Sequence, residues 1–184
     1  MEFTGTNVIE IYSMKRNFGT KINVEAQLSN FPRKAHECDA AYDLYVAKSV
    51  ELKPHSRVYA SLGFKVQLPS NVKLNIMPRS GQSGKGMIAH AEFPVWLGGG
   101  ATKARVNSDV LLGLVDCGYG EDVKAIVKSG RWRMKHRIMR LIGFRFFLYP
   151  GDRICQGAFT YVPQIDLEKG KVFGTRGGLG STDK

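Results

Sequence analysis

The stretch SRVYASLGFKVQLPSNVKLNIMP at 56–78 sets apolar residues against polar or small ones in alternation, interrupted by turn-forming residues at LPSN, 68–71. A period of two places successive side chains on opposite faces of a strand, so the stretch reads as half-buried strands joined by a turn. Val58 to Val66 and Val72 to Met77 are its two runs, and similar runs lie at Lys21 to Val24, Asp43 to Ala47, Val123 to Lys128 and Ala158 to Val162. Gly98-Gly99-Gly100 and YPGD at 149–152 supply further turns. No segment carries a long amphipathic helical period, and an all-β sandwich or barrel follows.

With 184 residues, 43% of them hydrophobic and 23% charged, the chain suits one domain with a real core and lacks the signature of disorder. Its longest apolar stretches, FPVWL at 93–97 and FFLY at 146–149, fall far short of the roughly 20 residues needed to span a bilayer. The N-terminal MEFTGTNVIEIYSMKRN mixes charge, Asn and Gly where a signal peptide needs an unbroken apolar run. An intracellular protein without a membrane partner is expected, in the cytoplasm or, in a eukaryote, the nucleus. Cys38, Cys117 and Cys155 are odd in number, widely spaced and without a CxxC pair, which argues for reduced thiols against a disulfide framework or a zinc site.

The net charge of +11 is concentrated. No acidic residue lies between Val123 and Gly151, while Lys128, Arg131, Arg133, Lys135, Arg137, Arg140 and Arg145 do. From Arg131 to Ile138 basic residues alternate with Trp132, Met134, His136 and Ile138, a pattern that predicts a strand with one cationic face. Such a face is either a solvated hairpin surface or a contact for a polyanion or an acidic regulator.

Five segments carry the chemistry: DAAYDLYVA at 39–47, PRSGQSGKG at 78–86, GLVDCGYGED at 113–122, GDRICQ at 151–156 and TRGGLGST at 175–182. Together they offer what hydrolysis of a phosphate anhydride needs, namely an acceptor for a water proton and positive or N–H groups around phosphate oxygens. The Asp116 carboxylate can orient a water and take its proton. Arg79, Ser80 and Gly81 combine a cation, a hydroxyl and a backbone able to approach an anion closely. Arg176, followed by Gly177 and Gly178, offers a guanidinium fork beside a pliant backbone.

In this order, the five segments resemble the motifs of the trimeric all-β deoxyuridine triphosphate nucleotidohydrolase (dUTPase) family, over residues 39–182. The resemblance implies a distorted β-barrel or jelly-roll-like sandwich, hydrolysis of dUTP to dUMP and pyrophosphate with Mg2+, and a homotrimer with shared active sites. It implies that Asp116 activates the attacking water. It also implies that Tyr119 packs on deoxyribose and excludes a 2′-hydroxyl, and that the hairpin from Gly113 to Tyr119 reads uracil through its backbone. Arg79, Ser80, Gly81 and Gln156 would bind phosphate, and Asp43 would place magnesium through water, without direct ligation. Asp152 and Arg153 would be structural partners in their corner. Arg176, Leu179, Gly180 and Ser181 would close over the nucleotide from a C-terminal arm that is mobile without ligand.

Several positions depart from the family pattern. Leu179 stands where a Phe usually stacks on uracil, and the interval after Arg176 is shorter by two residues. After Tyr119, Gly120-Glu121-Asp122 either lacks one residue or places Glu121 at the usual glycine. Ala41 replaces a common Gly, and Val110 stands where relatives carry an Asn, leaving Asn107 or Asp109 as substitutes. The chain therefore divides into an N-terminal extension at 1–18, a β domain at 19–170 with insertions near 88–110 and 128–147, and an arm at 171–184. Two alternatives stand beside dUTP hydrolysis. A dCTP deaminase-like enzyme would need a carboxylate near Ile126, where none lies, and a dUTPase-like regulatory or nucleic-acid-binding protein would use the basic 128–145 segment.

Overall fold

The computed structural model describes residues 6–12 and 19–167, with side chains from residue 21 onward. In chain order the elements begin with β1 (Thr6–Tyr12), β2 (Gly19–Ala26), β3 (Tyr42–Tyr45), β4 (Val50–Leu52), β5 (Arg57–Ser61), β6 (Phe64–Gln67) and β7 (Val72–Pro78). They continue with helix α1 (Ser80–Lys85), β8 (Met87–Glu92), β9 (Ala101–Val106), β10 (Ser108–Val110), β11 (Gly113–Val115) and β12 (Lys124–Ser129). Helix α2 (Met134–Leu141), β13 (Arg145–Leu148) and β14 (Arg153–Tyr161) complete the order. The strands form four sheets, ordered β1-β2-β6, β10-β12-β5, β11-β7-β14-β3 and β4-β13-β8-β9, with antiparallel pairings. The all-β expectation holds.

Strand alternation turns one side of each sheet inward. Along β7, Val72, Leu74 and Ile76 are buried while Lys73 and Asn75 are half-exposed. These residues join Ile22 and Val24 of β2, Leu44 of β3, Ala125 and Val127 of β12 and Phe146 of β13 in one apolar core. Burial of such side chains is worth about 1.5–3 kcal/mol each and fixes register, because a one-residue slip would turn each inward face to water.

The run from Val58 to Val66, expected as one strand, is two. Ala60, Leu62, Phe64 and Val66 are all buried, so the period of two passes unbroken through the corner. The break lies at Gly63, whose φ is +69° and where a Cβ would stand 2.6 Å from Ala47 Cβ. Only glycine fits there, and the chain crosses from the sheet of β5 to that of β6. At the N-terminus, the extension assigned to 1–18 contains β1, paired with β2 in register from Thr6↔Glu25 to Tyr12↔Gly19.

The predicted cationic strand at 131–138 is instead a loop and helix α2. Trp132 of the loop and His136 of the helix are buried; an interval of four lies on one face of a strand as well as of a helix, so the alternating Arg and Lys read equally as a strand. Both pack edge-on against Phe146, with ring centroids 4.9 and 5.7 Å away. Gly143, at φ +97°, follows the helix and turns the chain into β13. Nor is the positive charge all unpaired: Glu51 of β4 takes Arg145 at 3.0 Å and Arg140 at 3.6 Å. The Arg145 hydrogen bond, reinforced by the neighbouring cations, holds the Glu51 carboxyl below its ordinary range.

Burial, reinforced by Lys135 and Arg133, lowers the His136 pKa below its ordinary value of 6.5. The unfolded chain therefore binds this proton more readily, so the neutral ring contributes stability above the unfolded pKa that is lost as pH falls towards the folded one. Thermal denaturation should show the native Tm dropping more between about pH 7 and about pH 5 than that of His136→Phe. Equal pH slopes for the two proteins would contradict the assignment.

Candidate active site

Three of the five segments meet at one end of the sheet β11-β7-β14-β3. Gln156 of β14 lies directly opposite Asp43 of β3 on one side and Met77 of β7 on the other, so these residues share a face. Two residues beyond Met77, Arg79 leads into α1, whose first hydrogen-bonded amides, those of Gln82 and Ser83, donate to Arg79 O at 2.8 and 2.9 Å. The amides of Ser80 and Gly81 precede these, and both residues are exposed. Together with the Ser80 hydroxyl they form a group of donors suited to anionic oxygens.

The centre of this corner is Asp43, only 5% exposed. Arg153 Nη1 donates to its Oδ2 at 2.6 Å, and Arg79 Nε stands 3.5 Å from its Oδ1. Gln82, also buried, donates from Nε2 to Arg153 O at 2.9 Å and so ties α1 to β14. The helix stops at Gly86, where φ is +87° and a Cβ would meet Val106 O at 2.7 Å. Arg153 is thus the structural partner expected of it, and the Gln156 side-chain amide has no partner among the described residues. Beside it, burial pushes the Cys155 thiol up to about 12, an inert group.

The third segment ends elsewhere. Gly113, Leu114 and Val115 pair with Ile76, Asn75 and Leu74 of β7, so Asp116 emerges beside the beginning of β7, not its end. Asp116 O accepts from Tyr119 N at 3.3 Å, closing a turn in which Gly118 has φ +84°. Asp116 is exposed, and Tyr119, 39% exposed, donates its hydroxyl to Asp122 O at 3.2 Å. The expected hairpin is therefore corrected to a turn, because β11 pairs with β7 while the following β12 joins β10 and β5. Asn107 donates its amide to Arg131 O at 3.0 Å, and Asp109 Oδ1 accepts from Val110 N at 2.8 Å, so both carry local structural bonds.

At about 3.3 Å per residue, six steps along β7 place Asp116 roughly 20 Å from Arg79 in the same subunit. One chain thus brings together Asp43, Arg79, Ser80, Gly81 and Gln156, and carries Gly113, Asp116 and Tyr119 apart from them. Arg176, Leu179, Gly180 and Ser181 lie outside the described residues. Sequence reading passed over Gln82, whose Arg153 partner lies 71 residues away, and no local pattern marks such a contact.

Asp43 faces two guanidinium groups, its Oδ1 is buried without a hydrogen bond, and no cluster of three or more His, Cys, Asp or Glu among the described residues could hold a metal. A lone compensated carboxylate is not the oxygen cage of a resident magnesium ion. The residues present do not fit such an ion.

The dUTPase family model matches residues 28–96. The deoxyuridine 5′-triphosphate nucleotidohydrolase of Clostridium kluyveri is 30% identical over 171 residues, covering 88% of this chain and 94% of the relative. That of Clostridium tetani is 23% identical over 168 residues, covering 89% and 96%. Among solved structures, the dUTPase of Staphylococcus aureus phage phi11 is similar with a TM-score of 0.60 at 17% identity, covering 84% of this chain and 99% of that one. A dUTPase of Staphylococcus bacteriophage 80alpha carrying dUpNHpp is similar with the same TM-score of 0.60 and the same 17% identity, covering 88% and 97%. The all-β fold is that of the dUTPase structures it resembles. The chain belongs to the dUTPase family.

The Asp43–Arg153 pair should be measurable as a coupling. At fixed subunit concentration, Arg153→Met should lower stability in urea by about 1.5–3 kcal/mol, since it leaves a buried carboxylate short of its charged partner. In the Asp43→Asn background the same change should cost markedly less. Simple additivity would show that the pair contributes nothing specific.

Proposed function

We propose that the protein is a dUTP diphosphatase, hydrolysing dUTP to dUMP and pyrophosphate, and that it acts as a homotrimer with sites shared between subunits. The observation that carries this reading is the division of the site residues between the two ends of β7. Arg79, Ser80, Gly81 and Gln156 suit a triphosphate, whereas Asp116 stands at the opposite end, too far to reach a nucleotide held there by its own chain. A neighbouring subunit presenting its own 113–119 turn to the phosphate corner completes the set.

In that assembly the Asp116 carboxylate orients a water against the α-phosphorus and takes its proton. The Tyr119 ring sits against the sugar, where a 2′-hydroxyl would collide with it, and the backbone of the turn meets the polar edge of uracil. Ser80, Gly81 and Gln156 donate to phosphate oxygens whose charge shifts towards the pyrophosphate leaving group. Magnesium enters as part of the substrate, on the triphosphate oxygens. The arm residues Arg176, Leu179, Gly180 and Ser181 cover the bound nucleotide, a role read from sequence alone, with Leu179 offering apolar contact in place of ring stacking.

Pyrophosphate release tests this reading. With dUTP, dTTP, dCTP and UTP compared at equal concentration, dUTP should be strongly preferred. Asp116→Asn should reduce kcat by roughly 10²–10⁴, the range of a lost general base. Equal turnover of dTTP, or an active Asp116→Asn, would overturn it.

A further inference from the structure

The segment near 88–110, expected as an insertion, opens with strand β8, which lies within the residues that the dUTPase family model matches and reaches the phosphate corner. Its strand β8 buries Met87, Ala89 and Ala91 and turns the half-exposed His90 and Glu92 to the other face. That face meets the YPGD turn. His90 Nε2 lies 3.0 Å from Asp152 Oδ1, whose other oxygen accepts from Tyr149 N at 2.7 Å. The Tyr149 hydroxyl donates to Glu92 Oε1, and its ring lies 4.8 Å from that of His90. The bond to Glu92 pushes the Tyr149 hydroxyl up to about 12, so it remains a donor.

Asp152 immediately precedes Arg153, which pairs with Asp43, and its carbonyl accepts from Val46 N at 2.9 Å. The chain of contacts therefore runs from β8 through Asp152 to the backbone of Arg153, and from Arg153 to Asp43 and Arg79. Gln82 holds Arg153 from the opposite side, through its carbonyl. Among the described residues, no hydrogen bond or ion pair connects β8 with the 113–119 turn, whose strand pairs with β7.

We propose that His90 is a positioning residue for the phosphate grip, setting Arg153, and through it Asp43 and Arg79, by its bond to Asp152. The hairpin of β8 and β9 is then a buttress of the triphosphate end of the site. This rests on the proposed dUTP hydrolysis for its meaning, but its geometry predicts an effect confined to the phosphate end. Loss of the His90 bond should weaken ligands held by the β- and γ-phosphate positions and spare those held by base and sugar.

The test compares the native protein with His90→Ala and His90→Gln, the Gln amide reaching about as far as imidazole Nε2. Direct titration with pyrophosphate and with dUMP is paired with steady-state hydrolysis of dUTP, each variant first shown to fold by its Tm. In His90→Ala, pyrophosphate affinity should fall and KM for dUTP should rise, both by about tenfold, with kcat and dUMP affinity held within about twofold. His90→Gln should restore most of the loss. The proposal is overturned if dUMP affinity falls as far as pyrophosphate affinity, if neither changes, or if His90→Gln behaves like His90→Ala. Pyrophosphate titration needs no turnover, so a native chain inert towards dUTP would remove the functional reading while leaving this arm of the test decisive.

Discussion

One buried carboxylate organises the functional half of this molecule. Asp43 is almost wholly removed from water, a placement that would be strongly unfavourable for an unpaired charge. Arg153 and Arg79 compensate it from two directions. Because Asp43 belongs to β3, Arg153 to β14 and Arg79 to the junction of β7 with α1, this one requirement locks three pieces of chain, distant in sequence, into a single corner. Gln82 adds the link between α1 and Arg153. Ser80, Gly81 and Gln156, the proposed phosphate donors, adjoin that frame in sequence or across the sheet.

The same sheet that builds this corner separates it from Asp116, the group proposed to activate water. β11 lies antiparallel to β7, so the end of β11 falls beside the start of β7, and Asp116 leaves the sheet at the end opposite Arg79. No side-chain rotamer spans such a distance. In the proposed trimer this separation gives oligomerisation a catalytic meaning, since association would supply the missing half of each site.

Much of the strand pattern was legible because burial on one face imposes a period of two, as in VKLNIMP. Where the period failed as a guide, the reasons are local. At Gly63 the alternation runs straight through a corner that only backbone geometry reveals. At 131–138 alternating Arg and Lys imitate a strand, and the buried Trp132 and His136, an even interval apart, fit that pattern although only His136 belongs to the helix. The residue types of the candidate site stand out in the five segments, since Asp43, Arg79, Gln156 and Asp116 lie among unusual glycines and turn residues. Their partners do not: Gln82 with Arg153 and His90 with Asp152 join positions many residues apart, and sequence spacing carries no trace of such pairs. The division of the site between two sheet ends was invisible for the same reason, being a matter of strand order.

The most direct test of a site shared between chains is complementation. Asp116→Asn and Arg79→Ala proteins are each purified, then dissociated, mixed and reassembled, and pyrophosphate release from dUTP is followed. Each variant alone should be nearly inactive, and substantial activity should arise in the mixture, where an intact Asp116 from one chain faces an intact Arg79 from another. A mixture no more active than its components, despite demonstrated exchange of subunits, would contradict the account.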